Sequence, residues 1–87
     1  MQSFSATVTI QQAEGWHARP ATEFARIAGE SGLEVTIGRS GEASVRGDSV
    51  LSLLTLGARF AEQLTITVNA KTAAEAQQLL EALTAQF

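Results

Sequence analysis

The sequence predicts an α+β fold, an open-faced β-sandwich in which a four-stranded antiparallel sheet carries three helices on one face. Several short segments alternate apolar and polar residues, as half-buried strands do, and others repeat apolar residues at helical spacing. The elements follow the order β-α-β-β-α-β-α. Because the strands are apolar on one side only, one face of the sheet is expected to be covered and the other to face water.

Alternation with serines and threonines predicts a first strand whose inward residues are Phe4, Ala6, Val8 and Ile10. The spacing then changes to i, i+3, i+4 and i+7, which predicts a helix buried along Ala21, Phe24, Ala25 and Ala28. Gly29 and Gly32 are expected to end this helix.

A second strand follows, with inward residues Leu33, Val35 and Ile37. Glycines at both ends of the segment 38–41 predict a turn. After this turn, Ala43 and Val45 are expected to face inward on a short third strand.

The second half of the chain predicts two helices and one strand. A short second helix is expected to run from a cap at Asp48 or Ser49 to Leu56. The inward residues of the fourth strand are Leu64, Ile66 and Val68. A capping box at residues 72–75 opens a last helix whose inner face carries Ala76, Leu79, Leu80 and Leu83.

Length and composition exclude several classes of protein. With 87 residues the chain is expected to form one domain, residues 1–87. Its formal charge of −3 disfavours binding to nucleic acid through the phosphate backbone. The absence of cysteine excludes disulfides and thiolate metal sites, and no apolar run approaches the ~18 residues of a membrane span. The interpretation is a soluble, cytoplasmic domain that does not insert into membranes.

His17, the only histidine, stands at the predicted start of the first helix. Pro20 lacks an N–H and is tolerated only in the first turn of a helix, which places His17 at or just before the helix start. The backbone N–H groups of Ala18 and Arg19 then have no carbonyl partner four residues earlier. Together with the helix dipole, these groups predict a site that binds an anion.

This placement indicates a chemistry for the histidine. The positive end of the helix disfavours the imidazolium form, so the ring is expected to be neutral and nucleophilic at about pH 7. If the ring attacked a phosphoryl group, the product oxygens would meet the amides of Ala18 and Arg19 and the guanidinium of Arg19. These residues therefore predict covalent phosphoryl transfer, with no metal ion and no cofactor.

The same residues also have a simpler interpretation. A lone histidine before a helix, such as His17, is often a surface residue or a weak cap. A single arginine such as Arg19 is usually a solvated charge, and Trp16 beside them is more often a packing residue than a functional one.

The segment Gly-Trp-His-Ala-Arg-Pro-Ala at residues 15–21 resembles the active-site signature of the HPr family. These are the histidine-containing phosphocarrier proteins of the bacterial phosphoenolpyruvate-dependent sugar phosphotransferase system. Residues 49–57 resemble the regulatory-serine segment and short second helix of the same family. The resemblance extends over nearly the whole chain in length and element order. It implies an open-faced β-sandwich, in agreement with the pattern of apolar residues.

The resemblance implies a role for each matching residue. His17 corresponds to the histidine that is phosphorylated on Nδ1, Arg19 to the arginine that contacts the phosphoryl group, and Ala18 and Arg19 supply the helix-terminal amides. Ser49 corresponds to a serine that a dedicated kinase modifies in some lineages. The chain is then a transiently phosphorylated carrier, not a complete enzyme. Its implied partners are the phosphoenolpyruvate-protein phosphotransferase (the first enzyme of the system), the sugar-specific A components and regulators.

Three positions depart from the family pattern. Glu14 stands where the family often has a small polar residue able to cap the helix, and its carboxylate either repels the phosphoryl group or points to solvent. Asp48 precedes Ser49 where many members have a lysine, which weakens the interpretation of Ser49 as a kinase target. Trp16 is bulkier than the usual aliphatic residue.

The short second helix predicts a partner-docking surface. At ~100° per residue its apolar side chains spread over roughly 220° of the circumference, which is more than a helix lying on a sheet buries. Leu53 and Leu56 are expected to face the core. The residues left at least partly exposed for a partner are Val50, Leu51 and Leu54. The alternative is that the loop 57–63 folds over them.

Two other functions stay open on the sequence alone. One is a regulatory protein-interaction module of the same fold that transfers no phosphoryl group, although the presence of both His17 and Arg19 argues against it. The other is a small ferredoxin-like ligand-binding domain, for which the sequence offers no candidate pocket residues.

Overall fold

A computed structural model describes the whole chain, residues 1–87. The strands are β1 (Gln2–Thr9), β2 (Glu34–Gly38), β3 (Val45–Arg46) and β4 (Gln63–Ala70). The helices are α1 (Ala18–Ser31), α2 (Val50–Thr55) and α3 (Ala73–Thr84). The element order is β-α-β-β-α-β-α, which confirms the predicted α+β class.

The four strands form one antiparallel sheet in the order β1-β4-β2-β3. Val68 on β4 stands opposite Phe4 on one side and Val35 on the other, so apolar residues of three strands share one face. The neighbouring positions point to the opposite face. There the hydroxyl oxygens of Ser5 and Thr67 lie 3.0 Å apart. The sheet therefore has one apolar face and one polar face.

All three helices contribute to a single core on the apolar face of the sheet. It contains 18 buried residues, among which no polar or charged residue occurs. The largest fully buried side chains are Phe24, Ile10, Ile37, Leu53, Leu64, Ile66, Leu83 and Val68. The polar face of the sheet stays uncovered, as an open-faced sandwich requires.

Helix α1 buries the predicted face, formed by Ala21, Phe24, Ala25 and Ala28. It ends at Gly32, which adopts the left-handed conformation (φ 70°) and donates its N–H to the carbonyl of Gly29. The prediction that Gly29 also ends the helix is wrong. A glycine inside a helix costs only ~1 kcal/mol, and the packing of the apolar face outweighs that cost. None of the three helices is both long enough and apolar enough to cross a membrane.

The third strand is shorter than expected, and the inward placement of Ala43 is wrong. Only two pairs join β3 to β2, Thr36 with Arg46 and Ile37 with Val45. Ala43 lies beyond the end of β2, where the chain turns, and its side chain is exposed. A single methyl group gains too little from burial to draw this turn inward. Val45 is half-buried against the core, in the expected direction.

Candidate functional site

His17 is the N-cap residue of α1, as the position of Pro20 predicted. Its backbone is extended (φ −116°, ψ −170°), and its carbonyl accepts the first helical hydrogen bond, from the N–H of Ala21 at 3.2 Å. The imidazole makes no capping hydrogen bond, and 52% of the side chain is exposed. The ring is therefore accessible to a protein partner and is not occupied in holding the helix.

The start of α1 has two free backbone donors. The N–H groups of Ala18 and Arg19 donate to no group of the protein, and Pro20 has no N–H to donate. Free amides at the positive end of a helix favour an anion. No side chain caps this end, so these amides stay open beside the imidazole of His17.

Arg19 lines the same cleft as His17 and has no ionic partner. It forms no ion pair with any carboxylate of the chain, whereas Arg26 pairs with two carboxylates and Arg39 and Arg46 with one each. His17 and Arg19 line one polar cleft of about 400 Å³, together with Gln12, Pro20, Glu23 and Gln86. No group of three or more His, Cys, Asp or Glu side chains is arranged to hold a metal ion.

The carboxylate of Glu14 lies on the Nε2 side of the imidazole. Its Oε1 is 3.7 Å from Nε2 of His17, which is too long for a hydrogen bond. Both side chains are at least half exposed, so water screens their attraction. The sequence left two alternatives for the Glu14 carboxylate, repulsion of the phosphoryl group or a position in solvent. The structure favours the second, since the side chain is largely exposed.

Trp16 is a packing residue, which was the simpler interpretation of the sequence. Only 6% of it is exposed. Its ring stacks on Phe87 with 4.6 Å between centroids and lies nearly perpendicular to the ring of Phe24, with 5.6 Å between centroids. Its indole N–H donates to the carbonyl of Gln86 at 3.1 Å. The residue before His17 is thus part of the core.

The segment before His17 rests on the loop that follows α2. The N–H of Trp16 donates to the carbonyl of Ala58 at 3.0 Å. Gly15 has φ +92°, and a Cβ atom there would lie 2.7 Å from the same carbonyl oxygen. Only glycine allows this close approach without strain.

An ion pair fixes the loop after α2. Two nitrogens of Arg39 donate to the two carboxylate oxygens of Glu62, at 2.8 and 2.9 Å. The backbone N–H of Arg59 donates to the same carboxylate at 2.7 Å. The hydrogen bonds from Arg39, followed by the one from Arg59, lower the pKa of Glu62 to about 2. The loop therefore depends on an ionised Glu62.

Helix α2 runs antiparallel to α1. Its start lies near the end of α1, where the side chain of Asp48 approaches Gly29, and its end leads to Ala58 beside Trp16. The twelve residue steps from His17 to Gly29 correspond to about 18 Å along the helix axis. Ser49 consequently lies at the end of α2 that is remote from His17, and the structure does not bring these two residues together.

Ser49, not Asp48, caps α2. The Ser49 hydroxyl accepts a hydrogen bond from the N–H of Ser52 at 3.2 Å. Asp48 instead accepts two hydrogen bonds from the guanidinium of Arg46, at 3.0 and 2.9 Å. Asp48 was the other cap residue proposed from the sequence, and its ion pair with Arg46 makes it unavailable for capping.

The apolar residues of α2 divide between core and solvent. Leu53 is buried, and Val50 and Leu56 pack partly against the core. Leu51 is 75% exposed and Leu54 is 40% exposed. The loop after α2 does not fold over these two leucines. We call Leu51 and Leu54 the leucine surface.

Sequence reasoning missed four residues that support this site, namely Gln12, Ala58, Gln86 and Phe87. Gln12 lines the cleft, and its Oε1 is buried without a hydrogen-bond donor. The one available signal was Trp16, since a buried indole N–H normally requires an acceptor. Neither the acceptor nor the stacking partner of Trp16 could be named, because both lie 70 residues or more along the chain.

Comparison with known proteins places this geometry in a family. The sequence profile described as the PTS HPr component phosphorylation site matches residues 4–86. The chain belongs to the PTS HPr family. It is 38% identical over 79 residues to the phosphocarrier protein HPr of Streptomyces coelicolor, a match that covers 91% of this chain and 85% of that protein. It is 37% identical over 51 residues to HPr of Pseudomonas aeruginosa, covering 59% of this chain and 57% of that one.

A solved HPr structure agrees with the fold. The phosphocarrier protein HPr of Bacillus anthracis superposes with a TM-score of 0.80 at 26% identity, covering 97% of this chain and 95% of that chain. The resemblance read from residues 15–21 and 49–57 is confirmed. As a member of the HPr family, the chain is a phosphocarrier of the phosphotransferase system, and a purely regulatory role is not favoured.

Proposed function

We propose that His17 accepts a phosphoryl group from the phosphoenolpyruvate-protein phosphotransferase and passes it to the sugar-specific A components. One observation carries this proposal. An exposed imidazole stands at a helix start whose two free amides, from Ala18 and Arg19, are open to an anion. This arrangement suits a residue that holds a negatively charged group for a short time and then releases it.

The transfer needs only the imidazole as nucleophile. The lone pair of one ring nitrogen, Nδ1 by resemblance to the family, attacks phosphorus, and a nitrogen–phosphorus bond forms. The bond between phosphorus and the donor atom breaks, and the donor keeps that electron pair. The second transfer reverses these events, with the acceptor component as nucleophile and His17 as leaving group.

The protein stabilises the phosphoryl oxygens on His17 by fixed donors. The amides of Ala18 and Arg19 do not need to reorganise, because they are free before the group arrives. The guanidinium of Arg19 forms no ion pair that would have to break first, and it adds a planar pair of donors.

We infer that the leucine surface, with the half-buried Val50 at its edge, is where both protein partners dock. Two exposed leucines on one short helix are costly in water and gain free energy when a partner covers them. The end of α2 leads directly to the loop that holds Trp16. A partner seated on Leu51 and Leu54 would therefore lie close to the acceptor ring. Regulators that share this surface would compete with transfer.

Ser49 is a candidate regulatory site on the same surface. A phosphate on its hydroxyl would add about two negative charges next to Val50 and Leu51. The charge would oppose docking rather than chemistry, because Ser49 lies at the end of α2 away from His17. The carrier would work in the cytoplasm, where phosphoenolpyruvate and the first enzyme are available to it.

The direct test is the mass of the intact protein after incubation with phosphoenolpyruvate and the first enzyme. We expect one phosphoryl group per chain, lost at acidic pH and absent in His17→Ala. Ser49→Ala serves as the matched control and retains the adduct. An acid-stable adduct that persists in His17→Ala would overturn the proposal.

A further inference from the structure

We propose that Gln86 and Phe87, the residues that follow α3 and its C-cap Ala85, position the acceptor histidine by holding Trp16 in place. The proposal rests on the function of His17 proposed above, and it assigns a role that the sequence did not indicate. Gln86 and Phe87 do not touch the reacting atoms. They are positioning residues, which act through the side chain of Trp16.

Three contacts hold the side chain of Trp16. Its ring stacks on that of Phe87 with 4.6 Å between centroids and an angle of 16°. Both rings lie at nearly a right angle to the ring of Phe24, with centroid distances of 5.6 and 5.9 Å. The indole N–H donates to the carbonyl of Gln86 at 3.1 Å. Two aromatic rings and one hydrogen bond thus determine where the indole lies.

The backbone of Trp16 is held separately by the carbonyl of Ala58. His17 follows directly, with an imidazole that makes no capping hydrogen bond of its own and lies 3.7 Å from its nearest ionic neighbour, Glu14. The position of the imidazole therefore depends on the backbone that carries it, which is held at Trp16 on one side and at the start of α1 on the other. Helix α1 holds only the carbonyl of His17, through the N–H of Ala21, and makes no hydrogen bond to the imidazole.

The direction of the ring matters because the phosphoryl group moves between two proteins. The donor, phosphorus and acceptor nitrogen must come into line, and a displacement of about 1 Å can cost roughly 100-fold in rate. Loss of the stack would leave the docking surface intact and make the ring orientation variable. The rate of phosphoryl transfer should therefore fall, whereas the affinity for the partner should not change.

Substitutions at Phe87 separate this role from simple packing. Phe87→Ala removes both the ring and its buried area, Phe87→Leu keeps apolar volume without a planar face, and Phe87→Tyr keeps the ring. Leu80→Ala is the matched control for stability. Leu80 is half-buried on α3 but lines a different groove, between α3 and β1.

Phosphoryl acceptance is followed with the first enzyme at increasing carrier concentration. For Phe87→Ala we expect kcat to fall about tenfold with KM changed less than about twofold. Phe87→Tyr should recover the wild-type rate, and Phe87→Leu should not. Leu80→Ala should lower the melting temperature and leave kcat unchanged. A loss of kcat in Leu80→Ala equal to that in Phe87→Ala would overturn the proposal.

A second measurement does not depend on phosphoryl transfer. Hydrogen exchange at the backbone N–H of Trp16 should be at least about tenfold faster in Phe87→Ala than in Leu80→Ala, under conditions where both are folded. Emission of the only tryptophan should shift in the same variant. If the wild type accepts no phosphoryl group, the proposed function fails, and slow exchange at Trp16 in Phe87→Ala would then overturn this proposal separately.

Discussion

The backbone N–H of Trp16 donates to the carbonyl oxygen of Ala58 at 3.0 Å, and this bond joins the segment before His17 to the loop after α2. Helix α2, which carries the leucine surface, and His17 therefore belong to segments that this bond joins. A partner that covers α2 meets a histidine whose position depends on the same loop.

Gly15 is required for this contact. A Cβ atom at Gly15 would lie 2.7 Å from the Ala58 carbonyl oxygen, and φ is +92°. We expect Gly15→Ala to cost ~1–3 kcal/mol of unfolding free energy and to slow transfer as well. Gly41→Ala is the control, since Gly41 also has positive φ but nothing lies within 4 Å of its added Cβ. Chemical denaturation and transfer rates compare the two, and equal transfer rates would show that the contact does not serve the site.

Arg19→Ala should slow phosphoryl transfer without unfolding the domain. A hydrogen bond to a charged group contributes ~1.5–3 kcal/mol, which corresponds to a fall of about 10–100-fold in rate. The melting temperature should stay near that of wild type, because Arg19 is exposed and has no ion pair to lose. Lys71→Ala removes the same charge at the start of α3 and should transfer normally. A wild-type rate in Arg19→Ala would make Arg19 a bystander.

Leu51→Glu and Leu54→Glu should raise KM for the first enzyme and leave the melting temperature almost unchanged. Their side chains are exposed, so a carboxylate at either position stays in water in the free protein. Leu53→Ala is the opposite case, since Leu53 is buried and its truncation should cost ~2–5 kcal/mol. If the glutamate variants unfolded instead, the two leucines would belong to the core and the docking surface would lie elsewhere.

Ser49→Asp should slow transfer at unchanged stability. An aspartate at this position can still cap α2 and places a negative charge beside the leucine surface. Ser49→Ala should show the reverse pattern, with normal transfer and ~1 kcal/mol less stability from the lost cap. Transfer rates and denaturation curves for the two variants distinguish the roles. Normal transfer in Ser49→Asp would reject the regulatory proposal.

The stability of the domain should fall below about pH 5 in a manner that depends on Glu62. Its pKa drops from 4.5 to about 2 on folding, so its contribution is fully present above pH 4.5 and is lost as pH falls toward 2. Glu62→Gln should be less stable at neutral pH and should show a flatter decline in acid. Urea denaturation between pH 2 and 7 measures this. If Glu62→Gln left the pH dependence unchanged, the loss of stability in acid would come from other ion-paired carboxylates. Glu23 and Asp48 are examples, since their pKa values are also lowered.

The sequence by itself determined the elements, the inner faces of the strands and of α1, and the place of His17. These follow from side-chain periodicity and from the missing N–H of Pro20, which act over a few residues. The continuation of α1 through Gly29 and the exposure of Ala43 were decided by packing, since local signals at Gly29 and in the short third strand were too weak to prevail.

Tertiary structure alone decided what surrounds His17 and which apolar residues of α2 are exposed. The position of α2 against the core decides that Leu51 is exposed and Val50 is partly covered. The distribution of apolar residues around the helix does not specify that position. The contacts of Trp16 with Gln86 and Phe87 join residues at opposite ends of the sequence. No local pattern encodes such a contact, because it exists only once the sheet and helices have brought the two ends together.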